Sequence, residues 1–309
     1  MSTSDYKSDA LLAREKLKDV SPTMCLAKWN QTSLHLPTGL TNSCYHPPLH
    51  SMDADAVKGN PAALHNTAEK LNQRQQMLKG EQPAGCSYCW NMEKTGEMSD
   101  RHYRSGEPWA MQDFEDIRKN PIDDHWTPRY VEVNFNNACN LKCSYCSPQF
   151  STTWGKEVDR YGQYPTSPPH NAPEHFQGRR RPIPNREENP YVDAFWKWWP
   201  TLYKNLKHFR MTGGEPMMDK NTYKVFQYII DHPKQDLHLN VTSNMCPVDK
   251  KIKDKYFNMA QAICMQEKVE HMMQFVSVDA YGKKAEYIRH GLDFNYMMDN
   301  VEEFLDRIP

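Results

Sequence analysis

The sequence predicts an α/β fold preceded by a small cysteine-rich α+β domain, and three observations predict it. From Arg129 onward, short runs of strand character alternate with loops and helical periodicity, the pattern of parallel βα units. At 309 residues the chain can bury the cores of two ordinary domains. Seven of its nine cysteines fall into two groups: Cys25, Cys44, Cys86 and Cys89 in the first third, and Cys139, Cys143 and Cys146 in the middle. The expected division is 1–125 for the cysteine-rich domain and 126–309 for the βα repeats.

Taken in order, residues 5–19 have helical periodicity. "WNQTSLHLPTGLTNSCY" (29–45) reads as two short strands joined at Pro37-Thr38-Gly39, a hairpin with a cysteine near each end. A helix is expected from about Pro61, proline being tolerated in a first turn, to Leu78, with Gly80 marking its end. "GCSYCWNMEKTG" then reads as a cysteine-bearing loop, and Trp109 to Lys119 as a short helix before the breaker Asn120-Pro121.

In the second part, strands are expected at Tyr130–Asn136, His208–Thr212, Leu237–Thr242 and Met273–Asp279. Helices are expected at about Asn221–Asp231, Lys250–Glu267 and Tyr296–Arg307. Residues 161–191, rich in proline and polar side chains and without periodicity, read as an irregular insertion or lid. "VDAFWKWWPTLYKNLK" reads as the first unit's returning helix, interrupted or kinked at Pro200.

Lysine and arginine total 38 against 39 acidic residues, and no one-sided stretch is longer than Arg179-Arg180-Arg181. A sequence-independent hold on nucleic-acid phosphates is therefore not expected. No stretch approaches the run of about eighteen apolar residues that a membrane helix needs. The first twenty residues form a charged amphipathic segment without the apolar core of a secretory signal, so the protein is expected to be soluble and cytoplasmic. Clustered cysteines in that compartment are reduced thiols, suited to metal ligation or reactivity rather than a disulfide framework.

"NACNLKCSYCSP" (137–148) places Cys139, Cys143 and Cys146 as C-x3-C-x2-C directly after an expected strand. A structural zinc site closes with four protein ligands. A cubane iron-sulfur cluster takes one ligand per iron, so three thiolates leave one iron open to a small molecule.

This spacing, with aromatic Tyr145 just before the last cysteine, resembles the radical S-adenosylmethionine enzymes, whose barrel is a partial (β/α) TIM-like one. The rest of the chain supplies further matches. "MTGGEP" (211–216) matches the family's GGE motif, with Gly213 and Gly214 allowing close backbone approach and Glu215 an anionic edge for the ligand's ammonium group. "TSN" (242–244) places Ser243 and Asn244 where members contact the ribose or methionyl part. "SVDAYGKKAEYIRHG" (277–291) is similar to the S-x-D-G…Y-x-x-I-R-x-G pattern of the peptide-modifying branch, with Ala280 in place of the usual glycine.

By that match Ser277 and Asp279 face the ligand, and Arg289, read as a helix residue, pairs with its carboxylate. The resemblance implies S-adenosyl-L-methionine chelated at the open iron of a 4Fe-4S cluster, and a flavodoxin- or ferredoxin-type reductant. It implies reductive cleavage to a 5′-deoxyadenosyl radical that abstracts hydrogen from a peptide-type substrate. About four of the family's six βα units can be counted, so the expectation is a shortened chain, a second chain completing the barrel, or an open version, with poor turnover by this chain alone.

Cys25 and Cys44 enclose Gly39 as C-x13-G-x4-C, and Cys86-x2-Cys89 follows. With "GCSYCW…E…G…S…R" (85–101), this is similar to the twitch or SPASM accessory domains, here ahead of the barrel rather than after it. It implies an auxiliary 4Fe-4S cluster fully ligated by four cysteines, suited to electron transfer. A structural zinc site on the same thiolates is the alternative. Within the enzyme class the rival substrate is a sugar or aminocyclitol alcohol. From another class, the rival is a non-catalytic, zinc- or cluster-stabilised binding protein. Cys246 and Cys264 read as packing residues, the three tryptophans of "FWKWWP" as core, and Arg179 to Arg181 as a solvated loop.

Overall fold

The computed structural model describes residues 3–162 and 181–308, so Arg179, Arg180 and most of the expected insertion lie outside the described residues. The chain divides into two compact units. One comprises Met1–Leu34, Gly39–Val131 and Pro190–His208, and the other His35–Thr38, Glu132–Asn189 and Phe209–Pro309.

In the first unit, β1 (Gln31–His35, its last residue assigned to the second unit), β2 (Leu40–Asn42) and β3 (His50–Ser51) are neighbours in the order β3-β2-β1, with β2 and β3 antiparallel. Gly39 takes a left-handed φ of 64° in the turn between β1 and β2, and a Cβ there would overlap the Tyr191 ring. Helices Thr3–Leu17 and Asp100–Gly106 pack so closely that a Cβ on Gly106 would lie 2.9 Å from the Asp9 backbone. The core gathers Leu17, Met24, Trp29, Met77, Trp90 and Phe114, and includes Cys25, Cys86 and Cys89.

Three expectations for this unit are corrected. The helix expected over 61–78 is a 3-10 turn, Pro61–Leu64, followed by a helix, Ala68–Leu78, because Thr67 caps a fresh start by accepting from the Lys70 N–H. The cysteine-bearing loop is helical: a 3-10 turn, Ala84–Cys86, runs into helix Ser87–Lys94. The expected helix over 109–119 is two short ones, Pro108–Met111 and Phe114–Lys119. Pro200 does not interrupt helix Pro190–Asn205, which packs within this unit. Phe195, Trp198 and Trp199 before it and Leu202 and Tyr203 after it are buried and hold both halves on the core.

The second unit carries the alternating pattern the sequence predicts. It holds β4 (Tyr130–Asn134) from Glu132 on, β5 (Lys142–Cys143), β6 (His208–Thr212) from Phe209 on, β7 (Lys234–Ser243), β8 (Val269–Val276) and β9 (Arg289–His290). The main strands lie in the order β4-β6-β7-β8, β7 and β8 run parallel, and β5 pairs with β9 in a separate antiparallel ribbon. Helix Lys220–Asp231 connects β6 to β7 and helix Lys250–Met265 connects β7 to β8.

Along β7, Leu237, Leu239 and Val241 point to the buried face and His238, Asn240 and Thr242 to the other. The connecting helices bring Val225, Phe226, Ile229, Phe257 and Ile263 into the core. The opposite face stays polar, which leaves room for a site. β8 begins and ends earlier than expected because its register pairs Val276 with Ser243 at the end of β7. No helix among the described residues is long and apolar enough to cross a membrane.

Candidate functional site

The three-cysteine loop leaves β4 and is held by main-chain accounting rather than by packing. Asn136 Oδ1 accepts from the Ala138 N–H at 2.8 Å, which turns the chain. The start of helix Thr152–Tyr161 then binds the loop's carbonyls. Ser151 Oγ donates to Leu141 O at 2.7 Å, Thr153 Oγ1 to Cys139 O at 2.8 Å, and Trp154 Nε1 to Cys143 O at 2.8 Å. Sequence reading passed over Ser151–Trp154; the visible signal was an N-cap serine ahead of an aromatic helix.

Gly213 and Gly214 sit directly against this loop. Gly213 has φ 117°, and a Cβ on it would overlap Asn134 Oδ1; a Cβ on Gly214 would overlap Ala138 O. The Glu215 N–H donates to the same Ala138 carbonyl at 2.6 Å. Glu215 itself is 2% exposed, and its carboxylate accepts from Ser243 Oγ at 2.7 Å, the Asn244 N–H at 2.7 Å and the Met217 N–H at 3.0 Å. Asn244 Nδ2 donates to Asn140 Oδ1 at 3.1 Å, inside the cysteine loop. Glu215, read from sequence as a ligand contact, thus ties the ends of β6 and β7 to that loop. Burial raises its pKa, opposed by those three donors.

Arg289 is not on a helix but in β9, where it stands opposite Cys143 of β5. Its Nη1 lies 3.6 Å from Cys143 Sγ, its Nε donates to Asp279 Oδ2 at 2.6 Å, and its guanidinium lies 5.5 Å from the Tyr145 ring centroid. Tyr145 also donates to Asp279 Oδ2, at 2.9 Å. Asp279 and Arg289, each expected to meet the ligand, therefore pair with one another.

Cys139, Cys143 and Cys146 open onto a cleft of about 470 Å³ within this unit, together with Tyr145, Gly213, Gly214, Glu215, Asn244, Ser277 and Arg289. Ser243 and Asp279 stand one hydrogen bond behind that lining. His35, Glu132, Phe150, Thr212 and Thr242 line it too and were not singled out from sequence. Period-two alternation in "YVEVN" would have flagged Glu132, which shares a face with Asn134. Glu132 faces Arg210 at 3.5 Å, and burial raises its pKa. Burial brings His35 down to about 4, so its ring is neutral, and its Nδ1 has no hydrogen-bond partner among the described residues.

Burial pushes Cys139 up to about 12 and raises Cys143 and Cys146, with Arg289 opposing at the latter two. Such thiols stay protonated unless a cation is beside them. In the first unit, Cys25, Cys44, Cys86 and Cys89 converge on one cavity, and their mutual repulsion adds to burial in raising Cys25 to about 12 and Cys89 to about 11. Beside it, Arg101 donates to both Glu93 oxygens at 2.9 and 2.7 Å, and Ser99 Oγ to Glu93 Oε1 at 2.6 Å.

Among the described residues no three such side chains are drawn in around a single ion. The three thiols open onto one cleft and the four onto one cavity, the convergence that a cluster's ligand set needs, since each ligand holds a separate iron. Four converging thiolates would satisfy zinc as well. Cys246 is buried away from the cleft, and Cys264 is partly exposed rather than core.

Comparison with known proteins adds two partial likenesses. The chain is 23% identical over 128 residues to the GTP 3′,8-cyclase of Aliarcobacter butzleri (strain RM4018), covering 40% of this chain and 31% of that protein. It is 24% identical over 125 residues to the GTP 3′,8-cyclase of Campylobacter lari, covering 40% and 30%. Both are radical S-adenosylmethionine enzymes. The matched stretch spans about a third of the length of these curated relatives, and it supports the radical S-adenosylmethionine superfamily in general terms. No family model matches the chain, and no solved structure matches it significantly.

Proposed function

We propose that the chain is a radical S-adenosylmethionine oxidoreductase of the twitch type, acting on a peptide-type substrate. One observation carries the reading: three thiols converge on one cleft whose opposite wall is a Gly-Gly-Glu turn pressed against their loop. The likeness to two GTP 3′,8-cyclases supports the chemistry, and the 277–291 pattern supports the peptide branch. When bound, a 4Fe-4S cluster with S-adenosylmethionine supplies the electron that cleaves the sulfonium to a 5′-deoxyadenosyl radical.

The chain's own residues provide a rigid mount. Cys139, Cys143 and Cys146 would hold three irons, and Arg289 stabilises the Cys143 thiolate while Asp279 and Tyr145 fix its guanidinium. Gly213 and Gly214 bring main chain rather than side chain to the cleft wall. Glu215 holds Ser243 and Asn244 in place through its buried carboxylate. Cys25, Cys44, Cys86 and Cys89 would close a second cubane with no open iron, which suits electron transfer. A flavodoxin- or ferredoxin-type protein is the proposed reductant, and the strands of the second unit are read as part of a (β/α) barrel.

Anaerobic reconstitution tests this. Two cubanes require about eight irons per chain. Wild-type protein should form 5′-deoxyadenosine with a reductant, and Cys143→Ala should keep about half the iron and form none. Colourless protein carrying only zinc would overturn the reading.

A further inference from the structure

Three basic side chains of the first unit are buried without a hydrogen-bonded carboxylate among the described residues. Lys28 is 2% exposed and lines the four-cysteine cavity, and Lys70 and Arg74 are fully buried on helix Ala68–Leu78, whose Met77 lines the same cavity. Lys28 Nζ donates to Gln73 Oε1 at 2.6 Å, and Lys70 Nζ to the Thr32 and Thr41 hydroxyls at 2.7 and 3.0 Å. Arg74 donates to Lys28 O at 3.2 Å and Asn66 Oδ1 at 2.9 Å, and meets His65 Nε2 at 2.8 Å.

Every one of these partners is neutral. Glu69 is reached only through Gln73, and Asp123 acts on Arg74 at longer range. The other cations on the cavity wall are matched: Arg101 by Glu93, Arg104 by Glu107, and His46 meets Asp100. A buried cation without a counter-ion is destabilising by several kcal/mol per charge. A fold that keeps three together has an anion in view. The four thiols are the groups placed to supply it, since Lys28 lines the cavity on which all four converge, and burial, with Arg74 and Lys28 beside it, pushes Lys70 well below the ordinary lysine value in the absence of such an anion.

We propose that Lys28, Lys70 and Arg74 form a buried counter-charge for an anionic tetrathiolate iron-sulfur centre on Cys25, Cys44, Cys86 and Cys89, and that they raise its reduction potential. This rests on the reading of that pocket as a cluster site. Four thiolates on an oxidised cubane make a dianion, and one-electron reduction makes a trianion without taking up a proton. Fixed positive charge in a low-dielectric setting favours the more negative state. The centre is thereby tuned as an electron acceptor rather than a strong reductant.

The test uses the full chain with Cys139, Cys143 and Cys146 replaced by alanine, so that only this site loads. Iron and sulfide content come first. About four of each per chain are expected, and zinc or no metal in this parent overturns the cluster reading itself. EPR-monitored redox titration with dithionite then compares the parent with Lys28→Met and Lys70→Met. Each should shift the reduction equilibrium at least tenfold toward the oxidised form, about 59 mV for a one-electron couple. Lys28→Arg should stay near the parent. Iron bound at full occupancy with unchanged potentials in both methionine variants overturns the counter-charge while leaving the cluster reading intact.

Melting of the chelator-treated proteins decides the matter if a variant fails to load. Without the anion the cations burden the fold. Thr41 keeps Ser33 O and Thr32 keeps Asn42 O as acceptors, so Lys70→Met should melt higher than the parent. Lower melting would show that the lysine serves the fold itself, and would overturn the proposal.

Discussion

Arg289 stands opposite Cys143 across the β5–β9 ribbon, with one arm of its guanidinium 3.6 Å from the sulfur and its Nε on Asp279 at 2.6 Å. A ribbon with two residues on each strand thus joins the three-cysteine loop to the segment after β8. Replacing Arg289 by methionine leaves Asp279 with Tyr145 alone. The expected loss is about 1.5–3 kcal/mol in urea denaturation of the metal-free protein. Adding Asp279→Asn should recover part of it, because the stranded carboxylate is then removed.

Gly214→Ala should strike the open site selectively. The added Cβ meets a backbone carbonyl, Ala138 O, which cannot swing aside as a side chain could. Relief requires moving the chain that leads into Cys139. Iron per chain should fall from about eight to about four, with the four-cysteine site still loaded. Full iron content would show that the loop tolerates the displacement.

Glu93→Gln should do the reverse. Glu93 receives two hydrogen bonds from Arg101 and one from Ser99, and Ser99 and the Arg101 backbone also bear on Cys89. Losing the charge should destabilise the first unit by about 1–3 kcal/mol and lower iron loading there. The three-cysteine site should keep its response to S-adenosylmethionine.

The metal-free protein should lose stability in mild acid. Burial depresses His35, His50 and His102 to about 4 each, and it lowers His65 well below the ordinary imidazole value. Their folded values lie below the ordinary imidazole value. The stability they contribute is therefore complete above about pH 6.5 and lost as pH falls toward 4. Within that window each contributes a slope of about 1.4 kcal/mol per pH unit. Thermal melts at pH 7, 6 and 5 should show a steepening fall, and a flat profile would contradict the neutral, buried state of these rings.

The βα alternation was legible because β7 and its flanking helices carry clean periods of 2 and 3.6, which local sequence displays. Cys139, Cys143 and Cys146 were legible from spacing, and so were Glu93, Ser99 and Arg101 as a spaced signature, although not as one bonded network. Arg289 was misread as helical because a two-residue strand has no period to detect. The break at His65–Thr67 carries no glycine or proline, and it follows from a cap and from burial that only the tertiary structure supplies. Nothing in the sequence singles out Lys28, Lys70 and Arg74. Charge reads as surface in a sequence, and only the fold reveals that these three face inward.

The measurement that tests the central contrast most directly is EPR of the reduced, anaerobically reconstituted chain with and without S-adenosylmethionine, in wild type and in Cys143→Ala. The open three-thiol site predicts two cluster signals in the wild type, of which one changes on adding S-adenosylmethionine, and a variant that retains only the unresponsive one. Two signals that both ignore S-adenosylmethionine, or a responsive signal that survives in Cys143→Ala, would contradict it.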